Sequence, residues 1–143
     1  MKILINVVHP AHVLYTKYVY LNLKKKGHDV LYAARDREVT LALLDSFHAS
    51  HLVVSKKSGF VKEAIVMLFG LLKLRFTFRP DFIVSAGGSL APFISWLTRT
   101  KSLLWSDSEH STIMNLLSHP WSTKSLTSKS YRMGFAFSGF LKD

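Results

Sequence analysis

The sequence predicts an α/β domain: a single Rossmann-like, three-layer unit built on a parallel sheet. Three observations carry this. Short apolar runs alternate with longer helical segments from Lys2 to Trp105, and each run is closed by turn chemistry. The chain is also 143 residues long, the length of one domain rather than two. Such spacing implies right-handed βαβ units, and no internal repeat interrupts it. A chain of this size buries roughly two-thirds of its unfolded surface, enough for a packed core without staples.

Taken in order, Lys2–Val8 is β-branched and almost wholly apolar, as a strand covered on both faces must be. Val13–Lys26 reads as a helix with Leu14, Tyr18, Leu21 and Lys25 along one stripe. Lys24–Lys26 complement its C-terminal dipole and Gly27 supplies the stop. Val30–Ala34 is a second strand, after which Asp36 caps a helix to about Phe47. Leu52–Val54 is a short third strand. A long helix over Phe60–Phe78 ends at Arg79-Pro80-Asp81. Phe82–Ser85 is the fourth strand, a helix runs from about Leu90 to Thr98, and Ser102–Trp105 is the fifth strand. A polar loop through His110 leads to a helix over Ile113–Leu117. Periodicity then fades through Ser130, and Gly134–Phe140 reads as one last strand, as if the chain led into something longer.

Composition narrows the function. With 48% apolar and 20% charged residues the chain is neither disordered nor collagenous. The absence of cysteine excludes disulfides, zinc–thiolate sites and thiol catalysis. A net charge of +10 points to an anionic partner: nucleic acid, an acidic lipid surface or a phosphorylated ligand. The Lys24–Lys26 and Lys56-Lys57 runs lack any accompanying recognition-helix or aromatic RNA-binding pattern, so nucleic acid is the least favoured of these. The opening apolar run is too short for a signal peptide, and the longest apolar stretch, Ala64–Leu72, is about half a membrane span. A cytoplasmic location is the resulting expectation. The Phe60–Phe78 helix, apolar nearly all round with Lys62, Lys73, Arg75 and Arg79 near its ends, is expected to be a buried crossover. The alternative places it on a membrane surface.

Ligands of open parallel sheets bind beyond the C-terminal ends of the strands, which directs attention to three loops. His9-Pro10-Ala11-His12 contains no glycine, so the dinucleotide fingerprint is absent. Its two imidazoles are candidate acid/base groups or phosphate donors, unless His12 simply caps the next helix. Ser85-Ala86-Gly87-Gly88-Ser89 offers glycine backbone to an anion at a helix start, with Gly87, Gly88 and Ser89 as candidate ligands. It lacks the Lys-Ser/Thr of a P-loop, and a tight turn explains the glycines equally well. The third loop, Ser106-Asp107-Ser108-Glu109-His110, is the densest polar cluster. Asp107 and Glu109 are candidate bases or sugar-hydroxyl ligands and His110 a phosphate donor, while one of Ser106, Asp107 and Ser108 caps the following helix. Adjacent Glu109 and His110 diverge, and His119 is far along the chain, so no metal site is expected.

These segments together resemble a known family. Met1–Ile5 through Pro10-Ala11-His12, Lys26–Val30, Ala34-Arg35-Asp36, Arg79-Pro80-Asp81, Ser85–Ala91 and Asp107–His110 stand in the order found in the N-terminal half of an uncharacterised archaeal and bacterial family. That family has the glycosyltransferase-B fold and is related to UDP-N-acetylglucosamine 2-epimerase. Ala11, Ala86 and Ser106 depart from its pattern. The resemblance implies that residues 1–143 are an N-terminal, acceptor-side lobe acting in polysaccharide or glycoconjugate biosynthesis. Its partners would be a nucleotide sugar or sugar acceptor and a second lobe, which another chain could supply; no cofactor is implied. His12, Asp107, Glu109 and His110 would then be catalytic, and His9, Gly87, Gly88 and Ser89 would bind substrate. The rival readings are a basic binding or membrane-docking module without catalysis and an inactive truncated gene product.

Overall fold

The computed structural model describes residues 1–106 and 112–127. Six strands form one parallel sheet in the order β3-β2-β1-β4-β5-β6. They are β1 (Lys2–Val7), β2 (Asp29–Asp36), β3 (His51–Lys56), β4 (Phe82–Ala86), β5 (Lys101–Ser106) and β6 (Lys124–Thr127). Between them run α1 (Pro10–Lys25), α2 (Thr40–Ser46), α3 (Phe60–Thr77), α4 (Ala91–Leu97) and α5 (Thr112–Ser118), with a short 3₁₀ turn at His119–Trp121. The doubly wound α/β reading of the sequence is thus the architecture observed.

Strand alternation sorts the two core layers. Ile3, Ile5 and Val7 face α1 and α2, meeting Val13, Tyr20 and Leu44. Leu4, Ala33 and Ile83 face the other side, meeting Met67, Leu71, Leu74 and Ile94 of α3 and α4. At the first layer's centre Tyr32 is fully buried, its hydroxyl 3.0 Å from that of Thr16 and its ring 5.1 Å from Tyr20. Gly70 lets α3 settle onto β3, since a Cβ there would stand 2.8 Å from the Val54 carbonyl oxygen. Asp81 ties the turn after α3 to the start of β1: its carboxylate accepts from Lys2 N–H at 2.7 Å, and its own N–H donates to Lys2 O.

Gly27 ends α1 as expected, at φ +79°. Other expectations are corrected. The α1 helix starts at Pro10 rather than Val13, with His9 as N-cap. Its buried face is Val13, Thr16 and Tyr20, while Leu14 and Tyr18 of the expected stripe are exposed. The reason is that polar Thr16 is a core residue: it donates to His12 O at 2.7 Å and meets Tyr32. Asp36 does not cap α2. It ends β2, and α2 begins only at Thr40, whose hydroxyl donates to Arg37 O. β6 lies within the serine-rich stretch where no strand was expected, because a short, mostly exposed edge strand carries no apolar alternation. The expected strand at 134–140 lies outside the described residues.

The α3 helix is not the buried crossover expected. Only Glu63, Met67, Leu71 and Leu74 are buried, whereas Phe60, Val61, Phe69 and Phe76 are each more than 60% exposed. One face of a helix meets the sheet, so a helix apolar all round leaves apolar side chains outside.

Burial pushes the Tyr32 phenol from 10.0 up to about 12, with Thr16 opposing the shift and Tyr20 adding to it. Above pH 10 the unfolded chain gives up this proton and the folded chain keeps it, so stability falls as pH rises from 10 to 12. The loss is about 2–3 kcal/mol. Denaturant titrations across that window should show this slope in the wild type and a shallower one in Tyr32→Phe.

Candidate functional site

The strand order reverses between β1 and β4, and this switch point opens a crevice at the C-terminal edge of the sheet. A cavity of about 600 Å³ lies there. Five segments contribute to it. Val8, His9, Ala11 and His12 come from the β1–α1 turn, and Arg35 and Arg37 from the end of β2 and the loop after it. Ser58, Phe60, Glu63, Ala64 and Met67 come from the β3–α3 loop and the first turns of α3, Gly87, Gly88 and Leu90 from the β4–α4 turn, and Met114 and Leu117 from α5.

His9 Nδ1 accepts from the Ala11 N–H at 3.2 Å, which is the cap of α1. His12, one turn into the helix and buried, accepts from the Val8 N–H through Nδ1 at 3.4 Å. The capping role thus belongs to His9, and His12 is turned to the crevice. It lies directly over Gly87: a Cβ there would overlap the imidazole, standing 2.7 Å from Nε2. Gly87 also has φ +76°, so two separate constraints require glycine.

The glycine turn is less open to an anion than its sequence suggests. The Gly87 N–H donates to Trp105 O at 2.7 Å and the Ser89 N–H to Ser118 Oγ at 3.0 Å. Ser89 is fully buried, its hydroxyl 2.8 Å from that of Ser85. Ser89 is therefore structural, and Gly88 holds the turn's free place at the cavity wall. A Cβ on Gly88 would stand 2.6 Å from Met114 Cβ, so α5 closes this side. Asp107, Glu109 and His110 lie outside the described residues. β5, which precedes them in the chain, ends at Ser106 on the same sheet edge.

The structure adds residues that sequence reasoning missed. Arg35 and Glu63 form a partly buried pair: Nη2 donates to Oε2 at 2.7 Å, and Nε sits 2.5 Å from Oε1 in ion-pair contact, off the line of a hydrogen bond. Glu63 Oε2 also accepts from the Ser58 N–H at 3.3 Å. Arg37 donates through Nε to Glu38 Oε1 at 3.0 Å. The one available signal was Arg35 at the C-terminal end of a strand. Glu63 gave none, reading as an ordinary acid in a first helical turn.

No family model and no curated protein matches the sequence. Solved structures do. The glycosyltransferase SnogD from Streptomyces nogalater superposes at TM-score 0.68 with 18% identity, over 89% of this chain and 42% of that one. The UDP-GlcNAc 2-epimerase from Methanocaldococcus jannaschii gives 0.72 with 13% identity, over 89% and 39%. A putative UDP-N-acetylglucosamine 2-epimerase from Listeria monocytogenes gives 0.72 with 9% identity, over 88% and 38%. The fold is one Rossmann-like lobe of the glycosyltransferase-B type. The lobe spans about 40% of the length of these structures.

Gly87→Ala and Gly27→Ala separate the two constraints on the turn. Both positions have positive φ, but nothing lies within 4 Å of a Cβ at Gly27. Gly27→Ala should cost about 1–2 kcal/mol from backbone strain alone. Gly87→Ala should cost about 1–3 kcal/mol more, because the His12 ring must also be displaced. Equal losses in denaturant titrations would mean that His12 does not hold the turn.

Proposed function

We propose that this lobe is the N-terminal, acceptor-side half of a glycosyltransferase-B-type protein that handles a nucleotide sugar or sugar acceptor in polysaccharide or glycoconjugate biosynthesis. The observation carrying the proposal is the cavity at the β1/β4 switch point, walled by His9, His12 and the Gly87-Gly88 turn. Its size suits a sugar, since small-molecule sites begin at about 300 Å³. Its lining combines apolar side chains, Met67, Leu90 and Met114 among them, with imidazole and guanidinium groups. In this reading the His9 and His12 imidazoles meet sugar hydroxyls or a phosphate, and Gly88 offers its backbone. Asp107, Glu109 and His110 are proposed as the acid/base groups, from their place directly after β5. A second Rossmann-like lobe, from further sequence or another chain, would close the crevice and hold most of the nucleotide.

A titration with UDP, followed by amide NMR, tests this. Gly88 and His12 should shift first. Shifts confined to Lys24–Lys26 would indicate unspecific charge attraction and overturn the site. With the second lobe supplied, Glu109→Ala and His110→Ala should each lower turnover at least tenfold, as for loss of a positioned acid or base. Wild-type rates in both would remove the loop from the mechanism.

The second reading, peripheral docking on a membrane, is favoured by the outer face of α3. Val61, Ile65, Phe69 and Phe76 project there, and the exposed Lys62 and Lys73 flank them. The helix's one acid, Glu63, is buried against Arg35. No helix among the described residues is long and apolar enough to cross a membrane, so any contact would be interfacial. Co-sedimentation with vesicles should rise with phosphatidylserine content, fall with salt and be lost in Phe69→Glu. Binding indifferent to lipid charge and to Phe69 would exclude this docking.

A further inference from the structure

The charge on the cavity wall is uneven. Val7 pairs with Ala34 on one side and Ala86 on the other, so the next residues, Arg35, Val8 and Gly87, stand at one level at the C-terminal ends of three adjacent strands. Arg35 thus stands two strand spacings from Gly87, roughly 10 Å. The glycine turn and the imidazoles occupy one end of this row, and two guanidinium groups occupy the other.

Glu63 is the single carboxylate lining the cavity among the described residues. It is already committed, because its two oxygens face Nε and Nη2 of Arg35 and one also accepts from Ser58 N–H. This side-on arrangement fixes the Arg35 plane and leaves the Nη1 edge for another acceptor. Among the described residues the Arg37 guanidinium binds the half-exposed Glu38 carboxylate next to it in sequence, through Nε. Such a surface pair is weak and readily exchanged for a better-placed anion. Both arginines line the cavity, and so does Ser58, an exposed residue with a hydroxyl to donate.

Two forked donors lining one space, with the local acid already paired, make a site for a group with several charged oxygens. We infer that the Arg35–Arg37–Ser58 end of the cavity is an anion-binding subsite, and that the sugar bound there carries a carboxylate or a phosphate. The inference rests on the sugar-lobe reading and narrows its substrate class to anionic sugars. Arg35, held by Glu63, is the fixed half of the clamp, and Arg37 is the half that changes partner on binding.

Glucose 6-phosphate, glucuronate and glucose, each titrated into the chain under amide NMR, test this. Either charged sugar should shift Arg35, Arg37 and Ser58, with an affinity at least tenfold above that of glucose. The preferred one identifies the anion as phosphate or carboxylate. Arg37→Gln should reduce that preference at least tenfold and leave the UDP response at Gly88 in place. Arg35→Gln exposes a buried carboxylate to loss of its partner, so the double variant Arg35→Gln/Glu63→Gln is the companion, and it too should lose the preference. Equal binding of glucose and the charged sugars, or a preference that survives Arg37→Gln, overturns the subsite and leaves the sugar lobe standing. Absence of any sugar response together with absence of the UDP response at Gly88 overturns both.

Discussion

The crevice depends on the stacking of the His12 imidazole over Gly87. β1 and β4 are neighbours at the point where the sheet's order reverses, so the loops leaving them diverge to opposite faces. A side chain from one can lie across the other only if the second has no Cβ. Gly87 meets that requirement and takes a positive φ, while Trp105 O fixes its N–H from the next strand. His12 is held from behind by the Val8 N–H. A ring and a backbone turn thereby form one wall from two separate segments, and the remaining lining residues are arranged around it.

Electrostatics give the cavity its second character. A chain with ten more basic than acidic residues has few carboxylates to place, and burying one demands a partner. Glu63 is buried because Arg35 reaches it from the adjacent layer. The pair joins α3 to the edge of β2 and fixes a guanidinium at the mouth of the sheet. The same helix turns its other face, rich in Phe and Val, away from the core. α3 thus contributes to the site at its first turn and presents an unpartnered apolar surface along its length.

Part of the cavity's lining was legible from the sequence, and the failures have physical causes. The strand-end rule located the His9–His12 and Ser85–Ser89 loops, and both line or support the cavity. Of the turn amides expected to face an anion, those of Gly87 and Ser89 are bonded to Trp105 and Ser118, residues remote in the chain. The stripe expected on α1 was displaced because Thr16 satisfies its hydroxyl internally and so behaves as core. Hydrophobic periodicity cannot register a polar residue that brings its own partner.

The sequence by itself determined the parallel α/β architecture, the order of its elements through the fifth strand and the stops at Gly27 and Arg79-Pro80. These follow from local properties: side-chain period, backbone permissiveness and chain length. The tertiary structure alone decided which face of each helix is buried, which turn amides remain open and that Arg35, Arg37 and Glu63 share a cavity with His12. Those outcomes depend on groups far apart in the chain meeting at one sheet edge. No local pattern encodes the partner of a buried charge, because that partner arrives from another layer of the fold.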